Sequence, residues 1–374
     1  MQLDTNKVIV GLSSGVDSSV TAYLLKQQGY EVIGATIDTG MGECPAEGAA
    51  AIARQLGITH YVLDVRERFQ QAVVCPFAGA YYEAHTPNPC VLCNPRVKWK
   101  ALLDLADELG AKYVATGHYS RILQLPNGRY TIEKAAYKDQ SYVLYHLSQE
   151  QLSRTLMPLY GYSKDEVRAI AAEQGLLSAQ KPDSQEICFI PDDDYAGFLQ
   201  SYTGRTSEPG YFVDQTGKQL GLHKGLIHYT IGQRKGLGIA LGQRTFVTAL
   251  RPETNEVVLG TNEDCFQQGV LVEDVNFMME DPAEAAQQKE AADAENKAEA
   301  YALKGKIRYA HREEPCRIYC REDGLWECIF ERPQRAVTPG QAIVWYANDM
   351  VYGGGTVVQG YDPEGFTPGE GAGQ

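Results

Sequence analysis

In the first half of the chain, short apolar runs alternate with amphipathic segments whose apolar residues recur at helical spacing. The apolar runs predict buried strands, at residues 7–10, 32–37, 60–63 and 112–119. The amphipathic segments predict helices that each end at a glycine, at residues 16–28, 49–56 and 102–109. Because strands that alternate with helices form parallel sheets covered on both faces, we predict an α/β domain with a doubly wound parallel sheet.

Farther along, the pattern continues and then changes. Ser163 and Glu166 have the spacing of a capping box and predict a helix to about residue 174. After about residue 204, short β-prone runs separated by glycines predict two small β domains, the last of them barrel-like. The predicted organisation is an α/β domain at 1–204, a central β domain at 205–270, a C-terminal β-barrel domain at 271–361 and a disordered tail at 362–374.

An acidic, alanine-rich stretch at about 280–303 interrupts the predicted last domain. Between Glu280 and Glu299 it carries seven acids against two lysines, which indicates a solvated insertion without a catalytic role.

Length, charge and cysteine content narrow the function classes. The 374 residues exceed the roughly 250 to 300 residues of one core. No apolar run is long enough for a membrane span and no signal core opens the chain, so we expect a cytoplasmic protein without a membrane partner. The net charge of −14 argues against a surface coated for nucleic acid, although a local basic face is compatible with it. Nine cysteines in such a chain favour thiol, metal or redox chemistry.

The turn "GLSSGVDS" at residues 11–18 follows the first predicted strand and opens the first predicted helix. Backbone N–H groups, the helix dipole and serine hydroxyls would make this turn an anion site suited to pyrophosphate. Asp17 would serve a magnesium ion or the helix cap. The turn has neither the Walker lysine nor a G-x-G-x-x-G pattern, which disfavours kinase-like phosphoryl transfer. The alternative is a serine- and glycine-rich turn that caps a helix and binds nothing.

Cys90 and Cys93 form a C-x-x-C pair on a proline-punctuated loop, and Cys188 lies near another polar turn. These cysteines are tolerated thiols, or two of them transfer sulfur through a persulfide and a disulfide. In a third reading, all three hold irons of a [4Fe-4S] cluster and leave one iron open. A structural zinc completed by Cys44 or Cys75 is a fourth reading, against which stands the missing second ligand pair.

Eight motifs in order carry a resemblance across nearly all of residues 7–359 except the acidic insertion. They are "GLSSGVDSSV", "HTPNPCVLCN", "ATGHY", "KDQSYVLY", "DSQEICFI", "HYTIGQRKGLGI", "RYAHREEPC" and "VTPGQAIVWY". Together they resemble the bacterial tRNA-specific 2-thiouridylases, and "SSGVDSS" resembles the pyrophosphatase loop, or PP-loop, of ATP-dependent adenylating enzymes. Ser14 stands where that loop has a glycine.

The resemblance implies that ATP adenylates the C2 oxygen of the wobble uridine of tRNA, with Mg²⁺, and that sulfur then displaces AMP. The implied ATP site comprises Gly11, Leu12, Ser13, Ser14, Gly15, Val16, Asp17, Ser18, Ile37 and Gly117. Cys188 is the implied acceptor of a persulfide from a sulfur donor, a cysteine desulfurase or a relay protein. Cys93 is the implied nucleophile or resolving thiol, and the two would form a disulfide after turnover.

The resemblance also implies a tRNA surface. It places Asn88, Pro89 and Cys90 near the target base and His118, Lys138, Asp139, Gln140, Arg308, Tyr309 and Gln341 at the tRNA. His118 by itself would be a satisfied polar core residue. Better-known members have "NPD" where this chain has "NPC", so a role for that aspartate does not transfer. The extra thiol of Cys90 keeps the cluster route open beside the persulfide route.

Two other function classes compete with this interpretation. An amidating ligase would use the same PP-loop, but its chemistry requires neither Cys93 nor Cys188. A tRNA-binding module without turnover would not need the intact Gly15 and Asp17.

Overall fold

The computed structural model describes residues 3–42, 44–181, 187–190, 192–281 and 303–363. The predicted acidic insertion lies outside the described residues from 282 to 302, and so does the predicted tail from 364 onward. Within the described ranges, no helix has the length and apolar character needed to cross a bilayer.

A five-stranded parallel sheet forms the N-terminal domain, with the strand order β3-β2-β1-β4-β7. Its strands are β1 (Asp4–Gly11), β2 (Glu31–Asp38), β3 (Thr59–Asp64), β4 (Ala111–Ala115) and β7 (Thr155–Leu156). The α-helices of the chain are α1 (Val16–Gln27), α2 (Ala46–Leu56), α3 (Arg66–Phe69), α4 (Cys75–Tyr82), α5 (Pro89–Cys93), α6 (Lys100–Glu108), α7 (Gln149–Ser153), α8 (Lys164–Glu173) and α9 (Tyr195–Thr203). π-helical turns at Gln70–Val74 and Asn94–Trp99 join α3 to α4 and α5 to α6.

Alternation along β1 explains why both faces of this sheet are covered. Val8 and Val10 belong to a core that includes residues of α1 and α2, whereas Ile9 belongs to a core that includes residues of α6. All three are fully buried. The predicted parallel, doubly wound α/β domain is therefore confirmed. The predicted capping box of α8 is present as well, with Ser163 and Glu166 bonding each other's backbone N–H groups.

Two β domains follow, as predicted. The central sheet has the order β10-β11-β8-β9 and comprises β8 (Gly210–Val213), β9 (Gln219–His223), β10 (Phe246–Arg251) and β11 (Glu256–Gly260). The last domain is a closed six-stranded barrel, since β12 pairs with both β15 and β17. Its strands are β12 (Phe266–Phe277), β13 (Leu303–Lys306), β14 (Glu314–Cys320), β15 (Trp326–Arg335), β16 (Ala342–Ala347) and β17 (Met350–Tyr361). Phe277, Phe330 and Trp345 fill its core.

A hairpin from the first half of the chain extends the barrel's sheet. β5 (Ser120–Gln124) and β6 (Tyr130–Lys134) pair antiparallel, and β6 continues onto β17 through Met350 and Glu133. The buried Thr131 hydroxyl donates to the Val351 carbonyl at 2.6 Å. This pairing was not predicted, because strands more than 200 residues apart in the chain leave no local periodicity. The hairpin ties the α/β domain to the barrel.

Lys134 is the ionic anchor of that attachment. Its ammonium lies 2.8 Å from a Glu313 carboxylate oxygen and 3.1 Å from an Asp349 oxygen, and the Lys134 and Glu313 side chains are 19% and 18% exposed. We expect Lys134→Met to lower the free energy of unfolding by about 1–3 kcal/mol, because it leaves the shielded Glu313 carboxylate without its cation. Urea denaturation followed by tryptophan fluorescence measures the change.

Arg121 supplies the matched control. It pairs with Glu133 on the same hairpin, but its side chain is 53% exposed, so Arg121→Met should cost under about 1 kcal/mol. Equal losses in the two variants would contradict the anchoring role of Lys134.

Candidate active site

The turn after β1 is ordered by its own serines. The Ser18 hydroxyl accepts from the Ser13 N–H at 3.2 Å and donates to the Gly15 carbonyl at 3.1 Å. Ser14 is buried and has a φ of 58°, the left-handed conformation that glycine adopts most easily. The serine that replaces the family glycine thus keeps the glycine's backbone conformation, at a cost of about 1 kcal/mol.

Asp17 lies among cations at the start of α1. One carboxylate oxygen accepts from the Tyr119 hydroxyl and from the Lys164 ammonium, both at 2.7 Å, and the other lies 3.6 Å from the Lys138 ammonium. The N-cap of α1 is Gly15, so Asp17 is not the cap. An ammonium group at each carboxylate oxygen opposes a divalent cation at the same place, and Asp17 in this arrangement does not fit a magnesium ligand.

The turn does fit a phosphate anion. Within the described residues, no side chain caps the first turn of α1, which leaves its N–H groups to an external acceptor. Gly117, after β4, packs against this turn so closely that a Cβ would meet the Asp17 carbonyl carbon and the Ser18 nitrogen at 2.9 Å. Ile37 lies near the end of β2, partly buried between two core clusters. All three strand ends lie at one edge of the sheet, where ligands of α/β folds bind.

The cysteines of the candidate site meet across one apolar cluster. Cys93 ends α5 and is 6% exposed, and it shares that cluster with Val97 and with Phe189, the neighbour of Cys188. Cys90 and Cys188 are exposed, and all three are free thiols. Burial raises the pKa of the Cys93 thiol to about 11, with further increases from Cys188 and Cys90. Cys93 is therefore a protonated thiol at neutral pH.

Lys98 is the cation that faces these thiols. In an α-helix, the fifth residue after Cys93 would point about 140° away from it around the axis. The π turn at Asn94–Trp99 reduces that angle to roughly 50° and brings Lys98 to the Cys93 side. Burial lowers the pKa of Lys98, but the facing Cys93, Cys90 and Cys188 raise it above its ordinary value. Burial raises the pKa of the Cys188 thiol as it raises that of Cys93, and the ammonium lowers both pKa values against this effect.

His118 lies between the thiols and the turn at residues 11–18. It follows Gly117 directly, its ring lies 5.6 Å from the Trp99 ring, and its Nδ1 is 2.8 Å from the Thr116 hydroxyl. Burial and the nearby Lys98 lower the pKa of His118 to about 3. His118 is therefore a neutral side chain at physiological pH, whose hydrogen bond to Thr116 accounts for one of its two ring nitrogens.

The zinc interpretation does not fit the cysteines as the structure arranges them. Over the residues it describes, no group of three or more histidine, cysteine, aspartate or glutamate side chains is arranged to hold a metal ion. The Cys75 sulfur instead lies 3.2 Å from the Tyr202 hydroxyl, and Cys44 lies beside Asp38. The structural zinc thus lacks an assembled ligand set in the described part of the chain.

Several residues predicted at the tRNA meet where the α/β domain joins the barrel. The Tyr309 hydroxyl donates to the Asp139 carbonyl at 2.9 Å, and the Gln140 side chain accepts from the Tyr119 N–H at 3.0 Å. Lys138, with a φ of 39°, lies over the Tyr119 ring. Burial raises the pKa of the Asp139 carboxyl, which accepts from Ser141. Lys138, Asp139, Gln140 and Tyr309 therefore form one surface, here called the junction face.

Other residues predicted at the tRNA make contacts within the protein. Arg308 donates to the carbonyls of Ile231 and Ala336, both at 3.1 Å, and to the Thr338 hydroxyl at 2.6 Å. Its guanidinium thereby joins the central domain to the barrel. Gln341 donates to the Thr86 carbonyl just before the C-x-x-C loop.

The start of that loop is capped locally. Asn88 caps α5 by accepting from the Cys90 N–H at 3.1 Å, and Pro89 is the first residue of the helix. The N-cap fixes the backbone of Cys90 while its side chain stays exposed.

Three family descriptions match the chain in succession. Residues 6–192 match the tRNA methyl transferase HUP domain, 196–261 the tRNA methyl transferase PRC-barrel domain and 267–357 the Aminomethyltransferase beta-barrel domain. The tRNA-specific 2-thiouridylase MnmA of Lachnoclostridium phytofermentans is 49% identical over 94% of this chain and 99% of its own length. The MnmA of Acetivibrio thermocellus is 44% identical over 95% of this chain and 100% of its own.

The chain belongs to the tRNA-specific 2-thiouridylase family. The family resemblance drawn from the motifs is confirmed. Among solved structures, the U34-tRNA thiolase NcsA from Methanococcus maripaludis with its [4Fe-4S] cluster is 20% identical and covers 54% of this chain and 68% of that chain. Its TM-score with this chain is 0.34.

Three lysines at the site were not predicted from the sequence. Lys98, Lys164 and Lys181 each contact or face a group that the motifs singled out, yet none lies inside the part of a motif that was given a role. Lys98 is five residues after Cys93, a spacing that an α-helix would not bring together. The π turn at Asn94–Trp99 places Lys98 on the Cys93 side.

Removing the Lys98 charge should raise the pKa of the thiols around it. In Lys98→Met we expect the Cys188 thiol to be alkylated by iodoacetamide roughly tenfold more slowly at pH 8, which corresponds to one pKa unit. Peptide mass spectrometry across a pH series measures the rate at Cys188. Lys100→Met is the control, because Lys100 is an exposed lysine that pairs with Asp104. Equal thiol pKa values in Lys98→Met and the wild type would contradict the contact.

His118 should make stability depend on pH. The pKa of His118 is about 3 in the folded chain and ordinarily 6.5. As pH falls below 6.5, the imidazole is therefore protonated in the unfolded chain but stays neutral in the folded chain. Its contribution is therefore complete above pH 6.5 and is lost progressively toward pH 3. Urea denaturation at pH 7.5 and pH 5 should show a smaller difference for His118→Gln than for the wild type. A difference as large in the variant would show that His118 protonates freely in the folded protein.

Proposed function

We propose that this protein catalyses ATP-dependent 2-thiolation of the wobble uridine of tRNA, as a tRNA-uridine 2-sulfurtransferase. The observation that supports this most directly is the pair Gly117 and His118. Gly117 touches the backbone of the PP-loop, and His118 faces Lys98 beside the thiols. The proposed phosphate-binding turn therefore lies on the Gly117 side of this pair, and the thiols lie on the His118 side.

The nucleotide half supports activation of the uridine. Oxide is a poor leaving group, so the C2 oxygen must first be converted into a better one. In the proposed step, this oxygen attacks the α-phosphorus of ATP, the bond from that phosphorus to pyrophosphate breaks, and AMP becomes attached to C2 through this oxygen. The uridine loses its N3 proton to solvent. Residues 11–18 would hold the phosphates through N–H groups and serine hydroxyls. Asp17 is not a magnesium ligand in this step, since it lies between the ammonium groups of Lys164 and Lys138.

The thiol half supports delivery of sulfur. Cys188 is exposed and can accept a persulfide from a donor protein, whereas Cys93 is buried and protonated. In the proposed step, the terminal sulfur on Cys188 attacks C2, and AMP leaves with the former C2 oxygen. Cys93 then attacks the Cys188 sulfur, the bond from that sulfur to the transferred sulfur breaks, and the Cys93 proton passes to N3 of the thiouridine that leaves. The resulting Cys93–Cys188 disulfide must be reduced by an external thiol before the next cycle.

The persulfide route has more support here than the cluster route. A persulfide carrier and a resolving thiol need two cysteines, one accessible and one protected, which matches Cys188 and Cys93. A cluster would need Cys90, Cys93 and Cys188 around a common centre; all three face Lys98, so the iron content of the protein decides between the two routes. In the persulfide route, Cys90 is an accessory thiol beside the target base.

The junction face supports tRNA as the second substrate. It combines Lys138 with the exposed ring of Tyr309, next to Lys306, whose ammonium lies over the rings of Tyr142 and Tyr309. Cations bind phosphates, and exposed rings stack on unpaired bases, the combination typical of surfaces that bind single-stranded RNA loops. The charge is local, as it must be in a chain with a net charge of −14.

Three serine variants test the assignment of the thiols. Cys188→Ser should abolish thiolation of unmodified tRNA, with tRNA affinity within about threefold of wild type. Cys93→Ser should stall after the attack on C2 and accumulate a protein–tRNA adduct that dithiothreitol releases. Cys90→Ser is the matched control and should retain activity. Thiolation is measured on tRNA by mass spectrometry after digestion to nucleosides, with ATP and a persulfide donor.

Iron and acid-labile sulfide assays on anaerobically purified protein decide between the two routes. Activity of Cys90→Ser in iron-free protein would agree with the persulfide route. Loss of activity in all three variants together with loss of stoichiometric iron would establish the cluster route instead. Substantial thiolation by Cys188→Ser would refute Cys188 as the sulfur carrier.

A further inference from the structure

Lysines from outside the PP-loop converge on it. The turn at residues 11–18 contains no lysine. Lys164, the first residue of α8, places its ammonium 2.7 Å from Asp17, and Lys181 places its ammonium 2.9 Å from the Ser14 hydroxyl. Ser14 and Asp17 lie on either side of Gly15, the N-cap of α1. The two ammonium groups therefore flank the position where α1 presents its N–H groups.

The contacts hold these cations in place at the turn. Asp17 contributes one negative charge against Lys164 and Lys138, and Ser14 is neutral toward Lys181. The side chain of Lys164 is 19% exposed, so bulk solvent screens it less than an open surface lysine. A helix N-terminus flanked by two ammonium groups is most complementary to a polyanion with several oxygens.

We propose that Lys164 and Lys181 bind the pyrophosphate end of ATP, the β- and γ-phosphates, and stabilise pyrophosphate as it leaves. They thereby supply the charge that the Walker lysine supplies in other nucleotide-binding loops. This inference rests on the proposed function. When the bond between the α-phosphorus and the bridging oxygen breaks, its electron pair moves onto pyrophosphate, and the two ammonium groups neutralise the charge that develops there.

The pattern of ligand affinities tests this inference. Calorimetric titrations of α,β-methylene-ATP, inorganic pyrophosphate and AMP compare the wild type with Lys164→Gln and Lys181→Gln. Each variant should bind the methylene-ATP and pyrophosphate roughly tenfold more weakly, because one charge-assisted contact is lost. AMP, which lacks the β- and γ-phosphates, should lose less than about threefold. Lys164→Arg and Lys181→Arg keep the charge and should retain most of the affinity for pyrophosphate.

Lys218→Gln is the control, since Lys218 is an exposed lysine in the turn between β8 and β9 of the central domain. Its variant should bind all three ligands like the wild type. Unchanged pyrophosphate affinity in both glutamine variants would overturn the inference. An equal loss for AMP and pyrophosphate would also overturn it, because that pattern indicates a collapsed turn.

The same measurements separate this inference from the proposed function. If the wild type binds no methylene-ATP, the proposed function itself fails. If the wild type binds it and the glutamine variants lose only tRNA affinity, measured by filter binding at two salt concentrations, the two lysines contact RNA phosphates and the inference is wrong.

Discussion

The contact between Gly117 and the first turn of α1 is the constraint on which the site depends. A Cβ at Gly117 would meet backbone atoms of Asp17 and Ser18 at 2.9 Å, so only glycine lets the segment after β4 approach this closely. That approach sets where His118 lies, and His118 packs on Trp99 next to Lys98. Backbone packing thus fixes the position of the turn at residues 11–18 relative to the cluster that contains the thiols.

The chemistry of the site follows from unequal burial of similar groups. Cys93 is buried and protonated, whereas Cys188 is accessible. A buried thiol that stays protonated is protected from alkylation and oxidation, because the thiolate is the reactive form. Lys98 limits how far burial raises the thiol pKa values. The pair combines a buried thiol with an accessible one beside the same cluster.

All three domains contribute contacts that position the site. The barrel accepts the β5–β6 hairpin of the α/β domain and, through Gln341, contacts the segment before the C-x-x-C loop. Arg308 joins the barrel to the central domain through the Ile231 carbonyl. Residues that the family resemblance places at the tRNA therefore also brace the domains.

The sequence by itself determined the local features: the strands and helices of the α/β domain, the phosphate-binding turn, the two β domains and the family. These follow from periodicity, from glycines at helix ends and from the order of motifs, all of which are local in the chain. The tertiary structure alone decided the hairpin's place in the barrel and the convergence of Lys164 and Lys181 on the turn. It also decided the π turn that points Lys98 at the thiols. These features depend on contacts between residues distant in the chain, or on one turn's departure from α-helical spacing, and neither leaves a periodic pattern to read.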